Sequence, residues 1–314
     1  MNLTLRILPV LLGGLVIAGL SGCAAPQTER ILSSAIARPA SAEIANVPFF
    51  PQEQFYCGPA SLAMVLSWSG SPITPGDVTG EVYTPGREGT FAPDIVAAAR
   101  RHGRLAVDVR DLATLLAALD AGYPVIVMQN LGLSWYPRWH FAVAVGYDLS
   151  GPRLILRSGT ERRRVTALDA FERTWQRAGY WALVVLPPDT APSFADESSW
   201  LSAIAGLERT DRAEESLTAY RTFLSRYPGH RIARMGEANV FLAVKDYRSA
   251  EQGYRRVLEL DPRMAEAWNN LAYALHFQGR HADAVGAAQR ALAIAGGEDE
   301  NYADTLREVS AAAR

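Results

Sequence analysis

Residues 51–70 read PQEQFYCGPASLAMVLSWSG. One cysteine stands among glutamines ahead of a Gly-Pro pair that opens an apolar run, and the role of this cysteine decides the domain. Pro59 suits the first turn of a helix, so Cys57 falls at a helix N-terminus, where the dipole favours a thiolate. From Cys57 to Trp68 the run is mostly apolar, with Leu62, Met64 and Leu66 near Ala60 and Trp68. A cysteine there is either a small core residue or a nucleophile. A nucleophile needs a lowered pKa, a base within hydrogen-bond reach and donors for the developing oxyanion. The Cys57 N–H and a side-chain amide, from Gln52 or its rival Gln54, could be those donors.

Two amphipathic helices follow, FAPDIVAAARRHG (91–103) and DLATLLAALDAG (111–122), each stopped by glycine. Then the period changes. YPVIVMQN (123–130), HFAVAVGYD (140–148), PRLILRSGT (152–160) and YWALVVLPP (180–188) are β-branched or aromatic runs punctuated by turn residues, as in an antiparallel sheet. Helices first and strands later indicate an α+β domain over 45–188, followed by a Pro-rich linker at 189–196.

The chain has 314 residues, enough for about two domains. A net charge of −2 gives no reason to expect nucleic acid. Lys245 is the only lysine and lies in the helical region described below, so phosphate-loop, Schiff-base and Ser-Lys chemistries are not expected. No G-x-S-x-G elbow occurs, no Cys or His cluster has zinc spacing, and no metal or cofactor is expected.

At the N-terminus Arg6 precedes an apolar stretch of about 14 residues and then small residues, the layout of a secretory signal over 1–22. Leu20-Ser21-Gly22-Cys23 resembles the lipobox of bacterial lipoproteins, which implies diacylation of Cys23 as the mature N-terminus. With Ala24 next, the resemblance implies the outer membrane of a Gram-negative cell, facing the periplasm. Residues 23–44, rich in Ala, Ser and Pro, are expected to be a tether. If Cys23 carries lipid, Cys57 has no partner and is an unpaired thiol in an oxidising compartment.

Beyond the linker the chain repeats. Trp200 and Trp268 are 68 apart, twice 34, and Tyr220 and Tyr254, like Pro228 and Pro262, are 34 apart. The pattern resembles the tetratricopeptide repeat, with units at 197–230, 231–264 and 265–298 and a capping helix at 299–314. Its packing positions fall on Ala238, Ala250, Tyr254 and Val257, then on Trp268, Leu271, Ala272, Ala284 and Ala291. The first unit departs, with Ile204 and Ser216 where small residues are usual. Such arrays serve as scaffolds or as binding surfaces for a protein partner.

Five histidines are candidates for the base. His230, His276 and His281 lie in the repeats, and His102 ends a helix, where a cation suits the dipole. His140, opening a strand, is left; its ordinary reading is a polar edge residue. QEQFYCGPASLAMVL followed some 80 residues later by HFAVAVGYD resembles the papain-like cysteine peptidases of the bacteriocin-processing type, the C39 and C39-like group. The resemblance implies a thiol nucleophile at Cys57, a general base at His140 and an oxyanion glutamine at Gln52. That glutamine stands five residues before the cysteine, one fewer than leader peptidases of the group use. Their best-known members cut after Gly-Gly and are fused to a transporter; nothing here resembles the transporter, so that substrate does not carry over.

The residue orienting the imidazole is not Asp148, because eight residues along a strand span roughly 26 Å. A hairpin turning at DLSGP, with paired numbers summing near 300, sets His140 opposite Thr160 and near Ser158 on the same face. In the family this returning strand ends in Asp-Pro; here Ser158-Gly159 stands in its place, with Glu161 as the nearest downstream carboxylate. A serine accepts the imidazole N–H but does not stabilise imidazolium as a carboxylate does, which predicts reduced or lost activity. The expected function is thus a membrane-anchored, exported cysteine peptidase whose repeats bind a protein partner or substrate. The alternatives are a weak or inactive pseudo-peptidase that binds peptide, or an assembly lipoprotein.

Overall fold

The computed structural model describes residues 24–34, 38–52 and 56–312. The expected signal stretch, Cys23 and Gln54 lie outside these residues. The elements run α1 (Pro26–Ser33), β1 (Ser41–Glu43), α2 (Cys57–Trp68), α3 (Pro75–Val82), β2 (Tyr83–Thr84), β3 (Gly89–Thr90), α4 (Ala92–Arg101) and β4 (Leu105–Val109). After them come α5 (Leu112–Asp120), β5 (Val125–Asn130), β6 (Trp139–Asp148), β7 (Arg153–Ser158), β8 (Glu161–Ala167), α6 (Leu168–Gln176) and β9 (Ala182–Leu186). The remainder is helical: α7 (Glu197–Glu208), α8 (Ala213–Arg226), α9 (Arg231–Ala243), α10 (Tyr247–Leu260), α11 (Ala265–His276), α12 (His281–Ile294) and α13 (Glu300–Ala311). Two compact units result, one of residues up to 96 with 108–185, the other of 97–107 with 186 onward. Residues 97–107, inside the expected peptidase span, belong to the helical unit, where Arg212 Nε donates to the Arg101 carbonyl at 2.7 Å.

In the first unit the strands are ordered β9-β5-β6-β7-β8, each antiparallel to its neighbour, and β1 pairs with the far end of β6. β5 and β6 are buried almost end to end, without alternation, and α2, α5 and α6 pack against them. α2 is buried continuously from Gly58 to Leu66, which explains its lack of an amphipathic stripe.

The stretch expected as a tether is structured in its described part. The first-turn N–H groups of Gln27 and Thr28 donate to Glu172, at 2.9 and 2.6 Å, so this fully buried carboxylate sits on a helix N-terminus. Downstream, Tyr147 donates to the Pro39 carbonyl at 3.0 Å and Ala42 pairs with Tyr147. Gly146 permits this close approach, since a Cβ there would run into the Ala42 carbonyl. Bonds to distant residues fix the segment, and Ala/Ser/Pro composition carries no trace of them.

In the second unit three helix pairs, α7–α8, α9–α10 and α11–α12, stack in sequence and α13 packs on the last. Ala238, Ala250, Tyr254, Val257, Leu271, Ala272, Ala284 and Ala291 are buried, while Trp268 is partly buried and donates to the Pro262 carbonyl at 2.9 Å. Ile204 and Ser216 are buried as well, the serine hydroxyl donating to the Arg212 carbonyl at 2.7 Å.

Candidate active site

A cleft of about 830 Å³ opens in the first unit, with Cys57, His140, Gln52 and Gly159 in its wall. Each reaches it from a different element. Cys57 is the first residue of α2, which has no side-chain cap and no acidic residue in its first turn. Pro59 has no N–H of its own to add there, and the Cys57 and Gly58 N–H groups at the helix start act on the Cys57 thiol. His140 comes from the start of β6, paired with Gln129 of β5.

The dipole does not win at Cys57. Burial pushes the thiol pKa up, against the lowering effect of the nearby N–H groups of Phe141, Gly58 and Cys57 itself. His140 is pushed down to about 4, by burial first and then by the charge of Arg164. Both directions favour the neutral forms, a thiol and an imidazole in the wall of one cleft, in place of the thiolate expected from the helix start.

The β6–β7 register pairs Val143 with Arg157 and Ala144 with Leu156, both summing to 300. At its end His140 Nε2 lies 2.8 Å from the Oγ of buried Ser158. With Nε2 spent on Ser158, Nδ1 is the nitrogen available to the thiol proton. Glu161 pairs across the β7–β8 turn with Ser158 but forms an ion pair with Arg164 at 3.4 Å. Asp148 is engaged at the far end of β6 with Ser150.

Gln52 is buried and held from both sides. Its Nε2 donates to Ser61 Oγ at 3.2 Å, its Oε1 accepts from Gly159 N–H at 2.8 Å, and its own N–H donates to the Gly159 carbonyl at 2.9 Å. Gly159 has φ +60, so glycine suits the two-residue turn between β7 and β8. A proline here could neither reach that φ nor supply the N–H to Gln52. Ser158-Gly159 is thus a matched pair, the serine toward His140 and the glycine toward Gln52.

The pattern in the sequence did not point to Thr90. Its side chain occupies the space a Cβ on Gly58 would take, and its buried Oγ1 has no hydrogen-bond partner. Tyr83, on the other strand of that small hairpin, stacks on Tyr56 with centroids 5.0 Å apart, fixing the hairpin beside the helix start. Ser61, a lone hydroxyl in an apolar run one turn beyond Cys57, was the readable signal for the anchoring of Gln52.

Residues 44–183 match the model of the Peptidase_C39 like family. The first domain has the C39-like peptidase fold. Behind the C39-like domain, residues 235–299 match a tetratricopeptide-repeat model, and the helical array has that architecture. Among solved structures, a C39-like peptidase from Bacillus anthracis is 19% identical with a TM-score of 0.41, over 46% of this chain and 97% of its own. A double glycine motif protease from an AMS/PCAT transporter, solved with its leader peptide, is 24% identical with a TM-score of 0.37, over 46% and 93%. The second TPR domain of the human RPAP3 protein, in complex with an HSP70 peptide, is 17% identical with a TM-score of 0.34, over 36% and 94%. No curated protein matches the chain.

Proposed function

We propose that the chain is an exported, lipid-anchored cysteine peptidase of low intrinsic rate, in which Cys57 is the nucleophile, His140 the base, Ser158 its orienting partner and Gln52 an oxyanion donor. The observation that carries this reading is the shared cleft: Cys57 at an uncapped helix start and His140 in one wall, with His140 Nε2 already committed to Ser158. In the proposed reaction Cys57 Sγ attacks the peptide carbonyl carbon while its proton passes to His140 Nδ1. The oxyanion takes bonds from the Cys57 N–H and Gln52 Nε2. The imidazolium then protonates the leaving amine as the C–N bond breaks, and water, deprotonated by His140, hydrolyses the thioester.

The difficult species is the imidazolium. A base held near 4 in place of 6.5 binds the transferred proton about 300-fold more weakly, and part of that loss falls on the rate. Phe91, Met128 and Trp139 give the cleft an apolar wall, with Arg87 and Arg138 also lining it, so the substrate class is a peptide presenting an apolar side chain. The repeats bind a protein partner or the substrate, and acylation at Cys23 holds the protein at the periplasmic face of the outer membrane.

The neutrality of both reacting groups also favours a second reading, a peptide-binding domain without turnover. Labelling Cys57 with a thiol-directed probe across pH, alongside hydrolysis of a peptide library, separates the two. A peptidase shows slow hydrolysis that is abolished in Cys57→Ala, and labelling accelerated by His140 relative to His140→Ala. Absence of hydrolysis, with labelling unaffected by His140→Ala, would defeat the enzymatic reading.

A further inference from the structure

The connection from β5 into the first residue of β6, LGLSWYPRW (131–139), is an ordered hairpin. Leu131 N–H donates to the Arg138 carbonyl at 2.9 Å, and Leu133 and Tyr136 exchange N–H bonds at 3.1 Å. The Asn130 side chain accepts from the Gly132 and Arg138 N–H groups, both at 2.9 Å. Glycine at 132 is required, because a Cβ would collide with the Tyr136 carbonyl. This rigid frame holds Leu133, Trp135, Tyr136 and Trp139 in water, at 55, 81, 67 and 55% exposure. Apolar side chains so displayed by a fixed backbone mark an interaction surface. The cleft does not account for them: Trp139 lines it, but Leu133, Trp135 and Tyr136 do not.

Two observations indicate what covers them. The first is where the chain enters. A four-residue link joins α5 to β5, so α5 runs antiparallel to that strand, and Asp120 at its far end accepts from Tyr147 near the end of β6. Leu112, which opens α5, therefore lies at the Asn130 end, and its N–H donates to the Gln27 side chain at 2.6 Å. Arg177, just past α6, donates to the Asn130 carbonyl at 3.0 Å at the same end. Gln27 thus stands where the hairpin leaves the sheet. Four residues upstream is Cys23, a reach of about 14 Å at most, and before it runs the apolar stretch 7–20. The second observation is charge. No acidic residue occurs between Asp120 and Asp148, while Arg138 lies in the hairpin and Arg177, bonded to the Asn130 carbonyl, lines a hollow with Leu131 to Ser134 at its base.

We propose that the 131–139 hairpin is a membrane-contact loop whose aromatic tip enters the interfacial layer of an anionic phospholipid bilayer. Trp and Tyr favour that layer, and arginines beside them meet lipid phosphates. This stands on the hairpin and the entry point of the chain, and holds whether or not Cys57 turns over substrate.

The test uses residues 24–314 carrying Cys57→Ala, which have no acyl group and no activity, with vesicles of phosphatidylethanolamine and phosphatidylglycerol. Co-sedimentation and a blue shift of tryptophan emission are expected, weaker on phosphatidylcholine alone. Trp135→Ala/Tyr136→Ala should lower partitioning by about tenfold or more with unchanged circular dichroism, because both rings leave the interface. Failure of the parent to bind the vesicles, or undiminished binding by the double variant, would overturn the proposal. So would intact vesicle binding with lost peptide hydrolysis when the same pair is introduced with Cys57 present, an outcome that assigns the rings to substrate.

Discussion

His140 Nε2 lies 2.8 Å from Ser158 Oγ, a neutral hydroxyl at the position where the sequence resemblance implies an aspartate. The contact fixes the ring and leaves Nδ1 open, and it supplies no negative charge to stabilise a proton on the ring. Geometry and electrostatics are separated at this one position.

Replacing Ser158 by Asp therefore tests the electrostatic part alone. A carboxylate beside the ring raises the His140 pKa above about 4, and the rate of peptide hydrolysis at neutral pH should rise by about tenfold or more. Ser158→Ala leaves the ring unoriented and should lower the rate. NMR titration of the imidazole gives the pKa directly, and an unchanged value in Ser158→Asp would contradict the assignment.

His140 also contributes to acid sensitivity. The folded protein binds its proton more weakly than the unfolded chain does, so the stability of the neutral form is complete above pH 6.5 and declines as pH falls toward about 4. The full effect is about 3 kcal/mol. Denaturant midpoints between pH 7 and 4 should fall less steeply for His140→Gln than for the parent.

Gly58 and Thr90 are steric partners across the helix start. Gly58→Ala should reduce hydrolysis sharply, because the methyl group displaces either the hairpin or the Cys57 turn. Adding Thr90→Gly should restore part of the loss. A fully active single variant would show that this contact does not position the site.

Gln52→Glu keeps an acceptor for the Gly159 N–H and, through the Ser61 hydroxyl turning to donate, a partner at Ser61, but it removes the amide donor offered to the oxyanion. The turnover number should fall by about 10²- to 10³-fold, and this fall should persist in the pH range where the melting temperature of the variant is highest. Gln52→Leu should lower both, because it leaves the Gly159 N–H unpaired.

The fold was legible because its signals are local. The 34-residue period, the change to β-branched runs and the Gly-Pro after Cys57 each report on neighbouring residues. The register that sets His140 beside Ser158 was readable for the same reason, since a short hairpin fixes its own numbering. Long-range contacts were not readable. Docking of residues 26–33 depends on Glu172, some 145 positions away, and the placement of Thr90 depends on a two-strand hairpin too short to leave a pattern. The state of Cys57 is not legible in sequence, because a helix start is visible there whereas the depth at which it is buried is not.

The exchange between Gln52 and Gly159, with the backbone of each donating or accepting, ties the two halves of the cleft into one heritable unit. A change to aspartate at 158 that keeps glycine at 159 adds charge beside His140 and leaves the positive-φ turn position intact. Introducing the whole Asp-Pro pair would break the bond that holds Gln52 unless position 52 or its loop changed as well. Mutational history at this site is therefore expected to be epistatic, with the segments around 52 and 158–159 changing together or not at all.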